Sequence, residues 1–138
     1  MKLIIYTDGG ARGNPGPAGI GVYITDAEGK MLEEHAVYLG VATNNQAEYK
    51  AVLLGLERAL SLGATEVEVR ADSELIIKQT TGLYKVKHPD LLPLHLELKN
   101  LETLLKNHVH FKHVRRERNK EADRLANEAM DRGMGKRK

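Results

Sequence analysis

The stretch LIIYTDGGARGNPGPAGIGVYIT, residues 3–25, predicts how the fold begins. Residues 3–8 form a continuous apolar run that ends in one acid, Asp8, and such a run is typical of a strand buried on both faces. A loop rich in Gly and Pro follows, and residues 18–25 then alternate as a second strand does. Stability alone does not explain a lone carboxylate at the end of a core strand, so Asp8 is a candidate functional residue.

The rest of the chain predicts an α/β fold with a mixed five-stranded sheet flanked by helices. The turn DAEGK and the apolar residues of 31–39 predict a third strand, so the first three strands form an antiparallel meander. We expect a helix over 45–62, with Asn44 or Asn45 as its N-cap and Gly63 at its end. The later segments alternate between strand and helix, which predicts that strands 1, 4 and 5 pair in parallel. These segments are the strand TEVEVRAD, the helices SELIIKQTTG and HPDLLPLHLELKNLETLLKN, the strand HVHFKHV and the helix NKEADRLANEAMDRG.

The composition of the chain limits the kinds of site that it can form and the cellular compartment in which we expect it. The chain has 138 residues, 41% hydrophobic and 29% charged, which predicts one globular domain over 1–133 and a basic flexible tail over 134–138. It has no cysteine, which excludes disulfides, thiolate zinc sites and cysteine nucleophiles. Its first apolar run is too short for a signal peptide or a membrane span, so we expect a cytoplasmic monomer without membrane contact. A net charge of +2 permits nucleic-acid binding without requiring it.

Three further acids occupy positions with two interpretations each. Glu48 lies about 200° around its helix from the polar Gln46, on the core side, where a carboxylate is costly unless it is compensated; it also fits a first-turn acid favoured by the helix dipole. Asp72 ends the fourth strand as Asp8 ends the first, but the sequence DSEL also fits a helix start. Asp123 lies at the edge of the apolar stripe of the last helix, and this position taken alone favours an ordinary solvated acid.

Taken together, the four acids predict a metal site. Two parallel strand ends and the first turns of two helices can converge at one edge of a sheet, where ligands bind in open α/β folds. Four crowded carboxylates repel one another unless cations bind. Oxygen ligands alone favour Mg²⁺ or Mn²⁺, and a carboxylate cluster that holds two such ions is an arrangement that cleaves phosphodiesters.

Four segments carry a family resemblance over essentially the whole chain. YTDGGARGNPGPAGIG, TNNQAEYKAVLLGLERAL, RADSELII and NKEADRLANEAM resemble, in order and spacing, the signature segments of type 1 ribonuclease H. The short stretch TTGLYKVKHPDLLPLH stands where many members carry a long basic protrusion, so the chain is most similar to the subgroup without it. The resemblance implies hydrolysis of the RNA strand of RNA–DNA hybrids by a two-metal-ion mechanism, which leaves 5′-phosphate and 3′-hydroxyl ends.

The resemblance also implies roles for individual residues. It makes Asp8, Glu48, Asp72 and Asp123 the catalytic acids and the ligands of two Mg²⁺ or Mn²⁺ ions, with Asp123 the most weakly held. It implies that Asn14, Asn44 and Asn45 contact the minor groove of the hybrid, Thr43 a DNA phosphate and Glu74 a base edge. For Asn44 and Asn45, helix capping is the alternative.

Two stretches depart from the family or suggest another ligand. Many members have a histidine before the last helix, where this chain has the loop VRRERN. We expect Arg116 to face phosphate there as a catalytic substitute, and a solvated basic loop is the alternative. His108 and His110 share one face of a predicted strand, a pattern more typical of exposed histidines than of a zinc site.

Three functions remain for comparison. The first is a hybrid-specific endonuclease, and a variant of it also cuts double-stranded RNA. The second is a non-catalytic module that binds hybrid or duplex, against which the four intact acids argue. The third is a nuclease of the same architecture that acts on DNA, against which the TNN amides and the NPG loop argue.

Overall fold

The computed structural model describes residues 1–135 of the chain. Its order along the chain is three strands, a helix, a strand, two helices, a strand and a final helix. These elements are β1 (Lys2–Ala11), β2 (Gly16–Asp26), β3 (Met31–Ala42), α1 (Asn44–Ser61), β4 (Glu66–Ala71), α2 (Glu74–Thr80), α3 (Leu92–Leu104), β5 (Val109–His113) and α4 (Lys120–Gly133), with a 3-10 turn at Arg116–Arg118 before α4. Met134 and Gly135 form a turn. Most of the predicted tail, residues 136–138, lies outside the described residues.

The five strands form one mixed sheet in the order β3-β2-β1-β4-β5. β1 pairs antiparallel with β2, which pairs antiparallel with β3, whereas β4 pairs in parallel with both β1 and β5. The predicted fold class and pairing are therefore confirmed. Because β1 and β4 run in parallel, their carboxyl ends lie side by side at one edge of the sheet.

Helices cover both faces of the sheet, but unevenly. α1 packs against β1 with α3 behind it, and α4 packs on β2, β3 and part of β1. Gly21 of β2 permits this close packing, because a Cβ there would lie 2.1 Å from the carbonyl oxygen of Ala122 in α4. Within residues 1–135, no helix is both long enough and apolar enough to span a membrane.

The prediction that both faces of β1 are buried was wrong. Leu3, Ile5 and Thr7 are 0–1% exposed on the face that α1 covers. Ile4 and Tyr6 on the other face are only half-buried, because α4 lies over β2 and β3 and leaves the side of β1 next to β4 open. A continuous apolar run therefore indicates a central strand in this fold, but helices cover only one face of that strand completely.

Helix α3 is shorter than its sequence predicts. The segment 88–107 reads as one helix, but α3 begins at Leu92, with Pro93 in its first turn, and ends at Leu104. Lys106 and Asn107 have φ values of 59° and 60°. This left-handed conformation, which asparagine tolerates better than most residues, ends the helix before the predicted position.

Candidate active site

Three acids converge at the carboxyl edge of the sheet. Asp8 in β1, Glu48 in the second turn of α1 and Asp72 just after β4 each offer a carboxylate oxygen, and these oxygens all lie within 4.8 Å of one another. Glu48 is therefore not the first-turn acid that was the alternative interpretation. We call these three residues the acid cluster. It lies in a cavity of about 690 Å³, the acid cleft, which is also lined by Asp123, Arg116 and the 9–12 segment.

Gly9 makes this convergence possible. A Cβ at Gly9 would lie 2.4 Å from the carbonyl carbon of Ala47 and 2.7 Å from the backbone nitrogen of Glu48. Only a glycine therefore lets the start of α1 approach β1 closely enough for Glu48 to join Asp8. The Gly9 backbone also donates a hydrogen bond to the Glu48 carboxylate. The glycine after Asp8 thus serves the contact between helix and strand.

The acid cluster is under electrostatic strain. Burial, the charge of Asp72, and the hydrogen bond and charge of Asp123 together raise the pKa of Asp8 to about 8, although the charge of Arg116 opposes them. Burial also raises the pKa of Glu48 well above its usual value, together with the charges of Asp8 and Asp72. Three close carboxylates with oxygen donors only, and with no cation inside the cluster, fit a hard divalent ion.

This strain predicts a pH-dependent response to metal. The pKa of Asp8 is raised in the folded state, so folding favours the protonated carboxyl. The protonated form contributes fully to the stability of the fold below about pH 4, and this contribution is lost as the pH rises towards about 8. We expect the metal-free protein to melt at progressively lower temperature over this range. Mg²⁺ should restore the loss, with the largest gain at the alkaline end, because the ion binds ionised carboxylates.

Differential scanning fluorimetry with Mg²⁺ or EDTA measures this response. Asp8→Asn should flatten the pH dependence, whereas Asp90→Asn, a control at an exposed loop carboxylate, should leave it unchanged. A melting temperature whose Mg²⁺ response is equal across this pH range would contradict the assignment.

Asp123 and Arg116 lie beside the acid cluster. Asp123, in the first turn of α4, hydrogen-bonds with Asp8 but is not among the three acids that lie within 4.8 Å of one another. The Arg116 guanidinium lies 3.9 Å from the Asp123 carboxylate, and its side chain is 83% exposed. Arg116 therefore faces the mouth of the acid cleft, where a bound anion would meet it.

Asn119 is a positioning residue that the sequence reading missed. It is 1% exposed, and its Nδ2 donates to the Thr7 carbonyl at 2.8 Å and to Oδ2 of Asp72 at 3.3 Å. It therefore ties the start of α4 to β1 and to one acid of the cluster. A polar residue directly before an amphipathic helix was the available signal, but it reads first as an ordinary N-cap. The structure shows no capping hydrogen bond from its side chain.

Asn119→Ala should lower the free energy of unfolding by about 1–3 kcal/mol, since it leaves the buried Thr7 carbonyl without its donor. It should also loosen Asp72 and reduce activity. The matched control is Asn100→Ala at an exposed position of α3, for which we expect a change in the free energy of unfolding within about 0.5 kcal/mol. Urea unfolding measures both variants, and equal losses would contradict the role of Asn119.

Asn44 and Asn45 do not cap α1, contrary to the prediction, because they are its first two residues. Thr43 is the N-cap, and it forms a reciprocal capping box with Gln46. Asn44 instead accepts a hydrogen bond from the Ala11 backbone at 2.7 Å, and its own backbone donates to Oδ1 of Asn14 at 3.1 Å. The two asparagines thereby join the loop after β1 to the start of α1, beside the acid cleft.

The other predicted contact residues lie further out. Asn45 is exposed. Glu74 is 70% exposed and lies 4.0 Å from Lys78 in the same helix. Neither residue lines the acid cleft. His110 is exposed and lies 3.8 Å from Glu66, and no histidine belongs to a possible metal-binding group within residues 1–135.

The chain is similar to known proteins over most of its length. The sequence model of the reverse transcriptase-like family matches residues 6–129. The chain is 48% identical to the bifunctional protein Rv2228c of Mycobacterium tuberculosis over 95% of this chain and 36% of that protein. It is 42% identical to ribonuclease HI of Halobacterium salinarum over 94% of this chain and 65% of that protein.

A solved structure extends the comparison to three dimensions. LC11-RNase H1 in complex with an RNA/DNA hybrid superposes with a TM-score of 0.92 and 48% identity, and covers 96% of this chain and 99% of that one. The chain spans about a third of the length of its mycobacterial relative. The sequence, the fold and the acid cluster agree, and the chain belongs to the reverse transcriptase-like family of ribonuclease H domains.

Proposed function

We propose that this protein is a metal-dependent endonuclease that hydrolyses the RNA strand of RNA–DNA hybrids and leaves 5′-phosphate and 3′-hydroxyl ends. The observation that carries the proposal is the acid cluster: three carboxylates within 4.8 Å, in a chain 48% identical to a ribonuclease H1 that was solved with a hybrid. A non-catalytic binding module would gain nothing from the repulsion among these acids. The catalytic domain covers residues 1–133.

In this proposal Asp8, Glu48, Asp72 and Asp123 hold two divalent cations, Mg²⁺ or Mn²⁺. When bound, such ions supply Lewis-acid stabilisation of the scissile phosphate and lower the pKa of water. Asp8 lies beside Asp72 and Asp123, and in the metal-free protein its protonated carboxyl donates a hydrogen bond to the Asp123 carboxylate. The hydrogen bond from Gly9 fixes Glu48, and the one from Asn119 fixes Asp72. Arg116 neutralises phosphate charge at the mouth of the cleft.

Contacts with the hybrid extend from the cleft along the start of α1. Asn14 and Asn44 form a rigid pair beside it, and exposed Asn45 continues the same surface towards the minor groove, where 2′-hydroxyls distinguish RNA from DNA. Thr43 contacts a DNA phosphate, and Glu74 contacts a base edge. A cytoplasmic location and a monomeric state complete the proposal, and light scattering after size exclusion tests the second.

Cleavage of one labelled RNA tests the substrate. The same strand is offered as an RNA–DNA hybrid, as an RNA duplex and alone, each with Mg²⁺, Mn²⁺ or EDTA. We expect fast cleavage of the hybrid with metal and none with EDTA. Cleavage of the RNA duplex as well would broaden the substrate class to double-stranded RNA. Binding without cleavage in either metal would overturn the enzymatic proposal.

A further inference from the structure

A second cavity lies on the open face of the sheet, next to the acid cleft. It has a volume of about 370 Å³, and four of its lining residues are cationic while none is acidic. We call it the basic hollow; its lining residues are Tyr6, Arg70, Lys112, Val114, Arg115 and Arg118. It exists because α4 covers β2 and β3 and leaves this face of β1 and β4 open.

The cations of the basic hollow are available to a ligand. Arg70 is held in place, since it donates to the Tyr6 hydroxyl at 2.7 Å and lies 5.3 Å from the centre of that ring. Glu68 pairs with Arg70 and offsets part of its charge. Lys112, Arg115 and Arg118 are exposed and form no ion pair within residues 1–135. Arg115 and Arg118 therefore face solvent without an ion-pair partner among residues 1–135, while Lys112 lies close enough to Glu68 for their charges to interact.

The basic hollow is continuous with the acid cleft. Val114 and Arg115 line both cavities, so the 114–118 segment forms the boundary between them. The arginines of the VRRERN loop are divided between the two sides. Arg116 faces Asp123 in the acid cleft, whereas Arg118 lines the basic hollow. A strand whose phosphate reaches the acid cluster can continue over this boundary into the hollow.

We propose that the basic hollow binds the phosphate backbone of the same hybrid outside the cleavage site, which rests on the proposed function. A cavity lined by four cations, of which only Arg70 forms an ion pair within residues 1–135, suits a ligand with regularly spaced anionic charges. Continuity with the acid cleft selects the substrate itself. Each backbone contact of this kind contributes through counterion release, so its signature is a salt-dependent affinity that grows with the length of the nucleic acid. Arg70, which Tyr6 orients, is the fixed point of the hollow.

The experiment compares two hybrid lengths. Fluorescence anisotropy gives the Kd of labelled hybrids of about 6 and about 18 base pairs. Because a strand carries one phosphate about every 3.4 Å, the short hybrid has few phosphates beyond those in the acid cleft, and the longer one has many. An Asp8→Asn background with Mg²⁺ keeps the hybrid intact. The variant is Lys112→Glu with Arg118→Glu, and Lys112→Gln with Arg118→Gln is a gentler version. The control is Lys30→Glu with Lys106→Glu, two exposed lysines at the opposite edge of the sheet.

We expect the Glu variant to weaken binding of the long hybrid about tenfold and to reduce the slope of log K against log salt by about 2. The Gln variant should change both in the same direction by less. The short hybrid and the control should each change less than about twofold. Equal weakening of both lengths, or an unchanged Kd for the long hybrid, would overturn the inference. Cleavage by the unsubstituted protein tests the proposed function separately.

Discussion

Asp8→Asn should lower the rate of RNA hydrolysis in a hybrid on the order of a thousand-fold or more, while the protein stays folded. Asp8 interacts with each of the other three acids, Glu48, Asp72 and Asp123, and an amide there removes one of the charges that attract a divalent ion. The loss corresponds to the several kcal/mol of transition-state stabilisation that such ions contribute, at about 1.4 kcal/mol for each factor of ten. Single-turnover cleavage with saturating enzyme measures it.

The thermal stability of the same variant separates lost chemistry from lost structure. Since ionisation of Asp8 is unfavourable in the metal-free fold, Asp8→Asn should raise the melting temperature in EDTA near neutral pH. Asp90→Asn, at an exposed loop position, should retain wild-type activity. Activity of Asp8→Asn within tenfold of wild type, in either Mg²⁺ or Mn²⁺, would contradict the role of the acid cluster.

Gly9→Ala should impair both stability and activity, and the adjacent Gly10→Ala should impair neither strongly. A Cβ at Gly9 would lie 2.4 Å from the backbone of Ala47, whereas at Gly10 its nearest neighbour would be Oδ1 of Asn44 at 3.8 Å. The first contact forces α1 away from β1 and carries Glu48 away from Asp8. Overpacking of this kind costs about 1–3 kcal/mol or more.

Two measurements test this pair of variants. Urea unfolding gives the free energies, and Mg²⁺ titration of the melting temperature reports whether the acid cluster still binds metal. We expect Gly9→Ala to need at least about tenfold more Mg²⁺ for the same response, a change of about 1.4 kcal/mol in binding. If Gly9→Ala and Gly10→Ala behaved alike, the close approach of α1 to β1 would not be what positions Glu48.

The sequence predicts the sheet well because its signals are local. Alternation in 18–25 and the strand–helix–strand order determine the pairing, and they need no knowledge of distant contacts. The acids are found for a related reason, since Asp8 and Asp72 both follow apolar runs of neighbouring strands. Asp8 itself lies within β1, just after the last residue of β1 that pairs with β4. How closely Glu48 approaches these two acids depends on the packing of α1 against β1, which the sequence alone does not specify.

The features that the sequence did not predict depend on contacts between segments that are distant along the chain. Asn119 hydrogen-bonds with Thr7, which is 112 residues away in the sequence. Nothing in the sequence around a single asparagine indicates such a distant partner. Asn44 is a good N-cap by residue type, but Thr43 with Gln46 forms the better reciprocal pair. The role of Gly9 becomes visible only when α1 lies against β1. The substrate contacts of Asn45 and Glu74 rest on the family resemblance and stay predictions.

The ends of the cut RNA test the central claim most directly. After incubation of an RNA–DNA hybrid with the protein and Mg²⁺, mass spectrometry identifies the termini of each RNA fragment. Attack by water at the acid cluster predicts fragments with 5′-phosphate and 3′-hydroxyl ends, and none when EDTA replaces the metal. RNA that stays intact in both Mg²⁺ and Mn²⁺ would contradict the account, and so would 2′,3′-cyclic phosphates, since these form by attack of the RNA's own 2′-hydroxyl without any hydrolytic water.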